Sequence, residues 1–239
     1  MSDIITMVWK EWKELFYQHS FWSKFLNFLI YFGVLGIFFP YMIGPMLFNS
    51  ILILPVMLFT MVGIVGGVVP SSFAGEREKH TLETLLASRL SDQTILIGKL
   101  VASVGYGLIV TFFILVLWFI TSNIVYGKEG SIIPSLTFFL GLGLSLMFSV
   151  FTANIGVFVS LRTATTLAAQ QLMASIFMFF MMASIFMPRI FSTSWEKICG
   201  DTSINKIIVV MTAVLFILNL CLTFMVMARF RRASLLIKL

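Results

Sequence analysis

Five long stretches of the chain carry no charged side chain: residues 25–75, 100–127, 130–161, 163–188 and 207–228. Crossing the hydrocarbon core of a bilayer as a helix takes about 20 apolar residues, and every one of these stretches is longer. Composition agrees, with 59% of residues apolar and 11% charged, where soluble domains hold roughly half and a quarter. A water-soluble globule is excluded. So is a β-barrel, whose strands would alternate polar and apolar residues between frequent turns, whereas these stretches are apolar all round.

As a single helix the first stretch would be about twice as long as the bilayer is thick. It therefore reads as two helices, with a turn marked by Pro40 and Pro45 around Tyr41-Met42-Ile43-Gly44. The expectation is an all-α polytopic membrane protein of six spans: Phe25–Phe39, Met46–Val69, Ile95–Tyr126, Pro134–Leu161, Leu167–Met187 and Lys206–Ala228. Six helices make one transmembrane domain over 1–239, with an outer loop at 189–205 and a basic tail at 229–239. The third and fourth spans exceed what a bilayer needs, which predicts tilt or a stem standing clear of the membrane.

Orientation follows from the basic residues. With six spans both termini share a side, and that side collects Lys10, Lys13, Lys24, Arg77, Lys79, Arg89, Lys99, Arg162, Arg229, Arg231, Arg232 and Lys238, against Lys128, Arg189, Lys197 and Lys206 on the other. The bias predicts an inner-membrane protein with both termini cytoplasmic. It also accounts for the net charge of +6 through attraction to anionic lipid heads, without a nucleic-acid partner. Cys199 and Cys221 have no zinc-site spacing and no plausible disulfide pairing. Lys10, Glu11, Lys13 and Glu14 stand where a cleavable signal would need an apolar run.

Residues 1–24 read as an interfacial helix. Ile5, Val8, Trp9, Trp12, Leu15 and Phe16 recur on one face and Thr6, Lys10, Lys13 and Tyr17 on the other. The three tryptophans Trp9, Trp12 and Trp22 suit the headgroup layer. A plain anchor and a mechanical part both fit this pattern.

Between the second and third spans, Ser71 to Lys99 reads SSFAGEREKHTLETLLASRLSDQTILIGK and holds eight of the chain's 26 charges. Its cytoplasmic part, 71–94, has Leu82, Leu85, Leu86 and Leu90 as a helical apolar stripe, with Glu76, Lys79, Glu83 and Arg89 around it. Ser91-Asp92 predicts an N-cap and first-turn acid for the next helix. On physical grounds the segment is either a docking surface for another protein or a solvated amphipathic loop.

The run Glu76-Arg77-Glu78-Lys79-His80-Thr81-Leu82-Glu83-Thr84-Leu85-Leu86, followed by Gly98-Lys99, resembles the cytoplasmic signature of type-2 ABC transporter permeases. In that family an acidic-basic-acidic triplet precedes Thr-Leu-Glu and a leucine pair, and Gly-Lys opens the third span; His80 stands where Gly is usual. The layout of amphipathic N-terminus, six spans, outer loop and basic tail is similar over nearly the whole chain. The resemblance implies an exporter permease that dimerises and is driven by a separate ABC ATPase subunit. Glu76, Arg77, Glu78, Thr81, Leu82, Glu83, Leu85 and Leu86 would then couple the two, the leucines burying against the spans while Glu76, Glu78 and Glu83 meet the partner. ATP and Mg would sit on the partner, and this chain would hold no cofactor.

The residues themselves support that division. No Gly-x-x-x-x-Gly-Lys-Ser/Thr occurs, so nothing cradles phosphates. Metal-dependent hydrolysis would need His or acidic ligands at membrane depth, yet His19 and His80 lie in cytoplasmic segments and no carboxylate lies in a span. The same lack disfavours ion-coupled transport, leaving a channel or an insertase without an ATPase as the alternative. Asn49, Thr60, Ser103, Thr111, Ser145, Ser149, Thr152, Asn154, Gln170, Gln171 and Asn219 are polar residues within spans, expected mostly to bond between helices. Gly63-x-x-x-Gly67 and the pair Gly141 and Gly143 are expected to allow close packing. Pro55 interrupts the second span, as a kink or a tolerated residue.

In the fifth span Met173, Met178, Met181, Met182 and Met187 stand among Phe177, Phe179, Phe180 and Phe186. Such a surface adapts to a hydrophobic or amphiphilic substrate, serves plain packing, or offers thioethers to copper(I). By resemblance the second and fifth spans face each other across the dimer axis, placing Asn49, Phe59, Met173 and Phe177 on the translocation path.

Overall fold

The computed structural model describes residues 2–17, 29–43, 53–79, 81, 90–126, 136–163, 165–190 and 204–229. The elements among them are all helical: α1 (Ser2–Tyr17), α2 (Leu29–Phe38, with π-helical turns), α3 (Phe39–Ile43), α4 (Ile53–Glu78), α5 (Asp92–Tyr126), α6 (Leu136–Ser160), α7 (Thr166–Ile190) and α8 (Ile204–Arg229). Within the described residues four helices are long and apolar enough to cross a membrane: Leu58–Glu78, Asp92–Tyr126, Phe138–Ser160 and Ile208–Ala228. Phe32–Met42 and Thr166–Phe179 are apolar but shorter.

α4 is central, packing on α5, α6 and α7; α8 lies on α6, and α1 and α2 lie on α5. The main core runs through one end of the bundle, here called the base, where Met7, Val65, Val69, Phe73, Ile95, Leu96, Ala153, Val157 and Val226 meet. Close approach makes this possible. A Cβ on Gly107 of α5 would lie 2.6 Å from Cγ2 of Val65 on α4, and that β-branched side chain has little freedom to retreat.

The helix ends have local causes. Ser91 Oγ accepts from the Thr94 amide at 3.1 Å, so the expected cap of α5 is present and α5 begins at Asp92. With 35 residues, α5 is about 52 Å long, which leaves roughly 20 Å standing beyond a hydrocarbon core about 30 Å thick. At its far end, Tyr126 Oη donates to the Tyr41 carbonyl at 2.8 Å.

Three expectations need correction. Tyr41, Met42 and Ile43 are helical, in α3, and not part of a turn; α3 continues α2 without a break, and the π-helical turns of α2 directly precede Pro40. Ser71 to Glu78 do not start a separate surface segment but continue α4 through Pro70. Several polar side chains in the spans do not bridge helices. Ser103, Ser145, Ser149 and Thr152 donate to carbonyls of their own helix at 2.7–2.9 Å, which satisfies a hydroxyl without any neighbour. Bridging bonds among the described residues include Asn154 to Thr223 at 3.1 Å, Asn219 to the Met147 carbonyl at 2.8 Å and Gln170 to the Gly67 carbonyl at 3.4 Å.

Candidate functional site

Charge enters the interior of the described chain at the base, through residues that three different elements bring together. Lys99, about two turns into α5, is 1% exposed. Its ammonium lies 2.8 Å from Glu11 of α1 and 3.0 Å from Glu76 of α4, donates to Ser72 Oγ at 2.8 Å and sits 5.1 Å from the centre of the Phe73 ring. Ser72 Oγ in turn donates to the second oxygen of Glu11 at 2.7 Å. An ammonium so fully removed from water is tolerated only with such partners.

Lys10 closes the cluster from the surface side, 2.8 Å from Glu76 and 3.3 Å from Glu14. Burial opposes its charge, but the hydrogen bond to Glu76 and the carboxylates of Glu76, Glu11 and Glu14 outweigh that and hold its pKa above the ordinary lysine value. Carboxylate oxygens of Glu11, Glu14 and Glu76 lie within 4.8 Å of one another. Two lysine ammonium groups stand among these three carboxylates, so the cluster is an ionic clamp with one formal negative charge in excess.

Backbone shape makes the clamp possible. A Cβ on Gly98 would come within 2.7 Å of Met7 Cγ and 2.8 Å of its Cβ, so only glycine lets α1 sit down on α5 at this level. Trp12 Nε1 then donates to the Ala102 carbonyl at 3.0 Å. Gly98 and Lys99 thus act together: the first admits α1, and the second ties it through Glu11. α1 consequently shows three faces and not two. Met7 and Glu11 are buried, Ile5 and Trp9 are exposed apolar residues, and Asp3, Thr6 and Lys13 are exposed polar ones.

Of the residues expected to couple to a partner, Glu76, Arg77, Glu78 and Thr81 are described. Glu76 is buried within the chain, facing α1 and α5, and does not reach the surface. Arg77 donates to the Thr163 carbonyl just past α6 at 2.9 Å. Glu78 is exposed and accepts from the Thr166 amide and hydroxyl at 3.2 and 2.9 Å, at the start of α7. Thr81 closes the end of α4 through its amide, which bonds the Glu76 carbonyl at 2.9 Å. Leu82, Glu83, Leu85 and Leu86 lie outside the described residues, and Leu90 packs against the core at the base.

Of the residues expected on a path, Asn49 lies outside the described residues. Phe59 is exposed on α4. Met173 is buried and Phe177 half-buried where α7 meets α4, both against Gly66, on which a Cβ would lie 3.4 Å from the Phe177 ring and 3.8 Å from Met173 Cε. Gly66 therefore takes the packing role expected of Gly63 and Gly67; Gly63 is exposed, and Gly67 faces open space among the described residues. Sequence reasoning missed Glu11 and Lys99. The available signal was a glycine directly before a lysine inside an otherwise apolar helix, together with acids in an amphipathic helix elsewhere.

A bundle of long apolar helices with its buried charge gathered at one end defines a multi-pass membrane protein. The chain belongs to the ABC-2 type transporter family, whose model matches residues 2–199, and it is accordingly a permease subunit of an ABC transporter. No curated protein and no solved structure matches the chain.

Proposed function

We propose that this chain forms the single transmembrane domain, 1–239, of an exporter in the inner membrane, with both termini and the base of the bundle cytoplasmic. A separate ABC ATPase subunit hydrolyses ATP and docks on the segment that follows α4, and two copies of the chain form a homodimer with two ATPase subunits. One observation carries this reading. The residues that resemble the family signature, Glu76 to Glu78 and Gly98-Lys99, are those that build the charged base and join α1, α4, α5, α6 and α7 there.

In this reading Leu82, Glu83, Leu85 and Leu86 present the docking surface, and Glu76 anchors it from behind. α1 lies in the headgroup layer, its Ile5 and Trp9 toward lipid, because it is fixed to the part of α5 that stands beyond the hydrocarbon core. The homodimer is supported by the open face of α4, where Phe59, Gly63 and Gly67 align at helical spacing with Gln170 and Gln171 of α7 exposed nearby. Small residues and amides exposed at membrane depth favour another helix over lipid. Phe59, Met173 and Phe177 beside uncharged amides suit a hydrophobic or amphiphilic substrate without strong negative charge.

The test is native mass spectrometry of the chain solubilised from its own membranes. A complex of two permeases and two ATP-hydrolysing subunits is expected, with no ATP binding by the chain alone. ATP turnover by the isolated chain, or a stable assembly in which no ATPase is found, overturns the proposal and favours a channel or insertase.

A further inference from the structure

Glu76, Arg77 and Glu78 are consecutive in a helix, and steps of about 100° send their side chains in three directions. Glu76 turns into the clamp with α1 and α5. Arg77 and Glu78 turn to the short connection at residues 161–165 that joins α6 to α7, and they hold it on both sides. Arg77 donates to the Thr163 carbonyl at 2.9 Å, beyond the end of α6, and Glu78 accepts from the Thr166 amide and hydroxyl at the start of α7. Each charge has the sign that its helix end favours, a cation by free carbonyls and an anion by free amides. Gly75 completes the contact, since a Cβ there would lie 3.4 Å from Thr166 Cγ2.

We propose that Arg77 and Glu78 are positioning residues of the transport cycle, holding α7 so that its start follows the end of α4 when the ATPase moves the segment after it. This rests on the permease reading above. The hold acts on backbone atoms, so displacement of α4 pulls on the chain of α7 itself. α7 carries Gln170 and Gln171 on its exposed side and Met173 against α4, so a shift at its start alters the open face and the α4 seam together. Thr165 caps α7 independently, its Oγ accepting from the Ala168 amide at 3.3 Å. The helix therefore keeps its own cap when Glu78 is removed, and loss of Glu78 uncouples α7 without unwinding it.

The experiment uses the complex with its ATPase subunit, both native cysteines replaced by serine, and a membrane-impermeant maleimide as probe. Gln171→Cys reports on α7 and Val101→Cys, exposed on α5, serves as reference. Labelling is compared without nucleotide and with ATP and vanadate. In the otherwise unsubstituted chain, labelling at position 171 is expected to change with nucleotide. Arg77→Ala and Glu78→Ala are expected to abolish that change while the reference response, complex assembly and ATP hydrolysis persist. Arg77→Lys and Glu78→Gln, which keep a donor and an acceptor, are expected to restore it. A nucleotide response at 171 that survives both alanine variants, or is absent from the unsubstituted chain, overturns the proposal. So does joint loss of assembly and of both responses, which marks a purely structural role. Failure of any ATPase to co-purify with the unsubstituted chain is a separate result and refutes the permease reading itself.

Discussion

The base of the bundle and its middle are held by different chemistry. At the base, side chains far apart in sequence, such as Glu11, Glu76 and Lys99, bond one another across three helices with little exposure to water. In the middle, Ser145, Ser149 and Thr152 bond their own helices, a bond that crosses between helices is uncharged, as from Asn219 to the Met147 carbonyl, and helices meet through glycine against side chain, as at Gly36 and Leu117. Contacts of the second kind select partners by shape alone, whereas the ionic contacts at the base select them by charge as well.

The comparison breaks most easily at Lys99. Lys99→Ala takes from Glu11 its buried cation at 2.8 Å and leaves Glu76 with Lys10 alone, and removing one partner of a buried pair costs about 3–5 kcal/mol. The substitution is expected to give the largest fall in thermal stability of the detergent-solubilised chain. Replacing both Lys99 by Met and Glu11 by Leu is expected to cost less than Lys99→Ala, because no unpaired charge then remains at α1 and Lys10 still faces Glu76. Equal or greater loss in the double variant shows that the clamp is not ionic in origin.

Next in size is Gly107→Ala, where α4 meets α5. Its Cβ must displace Val65, and overpacking of this kind costs about 1–3 kcal/mol; a neutral effect shows that α4 and α5 can separate freely. A smaller loss, about 0.6 kcal/mol and at most about 1.7, is expected for Asn154→Ala, which removes one bond between helices in a membrane. Ser149→Ala is expected to change stability least, since its hydroxyl serves only its own helix. Should Ser149→Ala cost more than Asn154→Ala in the same unfolding assay, the distinction between bonds across helices and bonds within one helix fails.

The long helices were legible because charge is excluded from hydrocarbon whatever the packing. Expected and observed limits agree at Tyr126 and differ by one to three residues for α6, α7 and α8. Legibility failed where charge is present but paired. Lys99 and Glu76 look like surface residues until their partners are known, and those partners lie 88 and 66 residues away, at Glu11 and Lys10. On the sequence alone the end of α4 therefore reads as the start of the cytoplasmic segment 71–94. The signature residues were found by resemblance, but not their directions, because three neighbours on a helix end can each serve a different element. Gly67 shows the converse, a residue of a recognised motif with no described atom within 4 Å of where its Cβ would stand.

The central claim is that the ATPase meets this chain at the base, just past α4. Lys79 is exposed at that end and Lys206 is exposed at the start of α8, at the opposite end. A photo-crosslinking residue placed at 79 or at 206 in the intact complex, with products identified by mass spectrometry, reads this directly. The account predicts a crosslink to the ATPase subunit from position 79 and none from position 206. Crosslinking from 206, or from neither position in a complex that hydrolyses ATP, contradicts it.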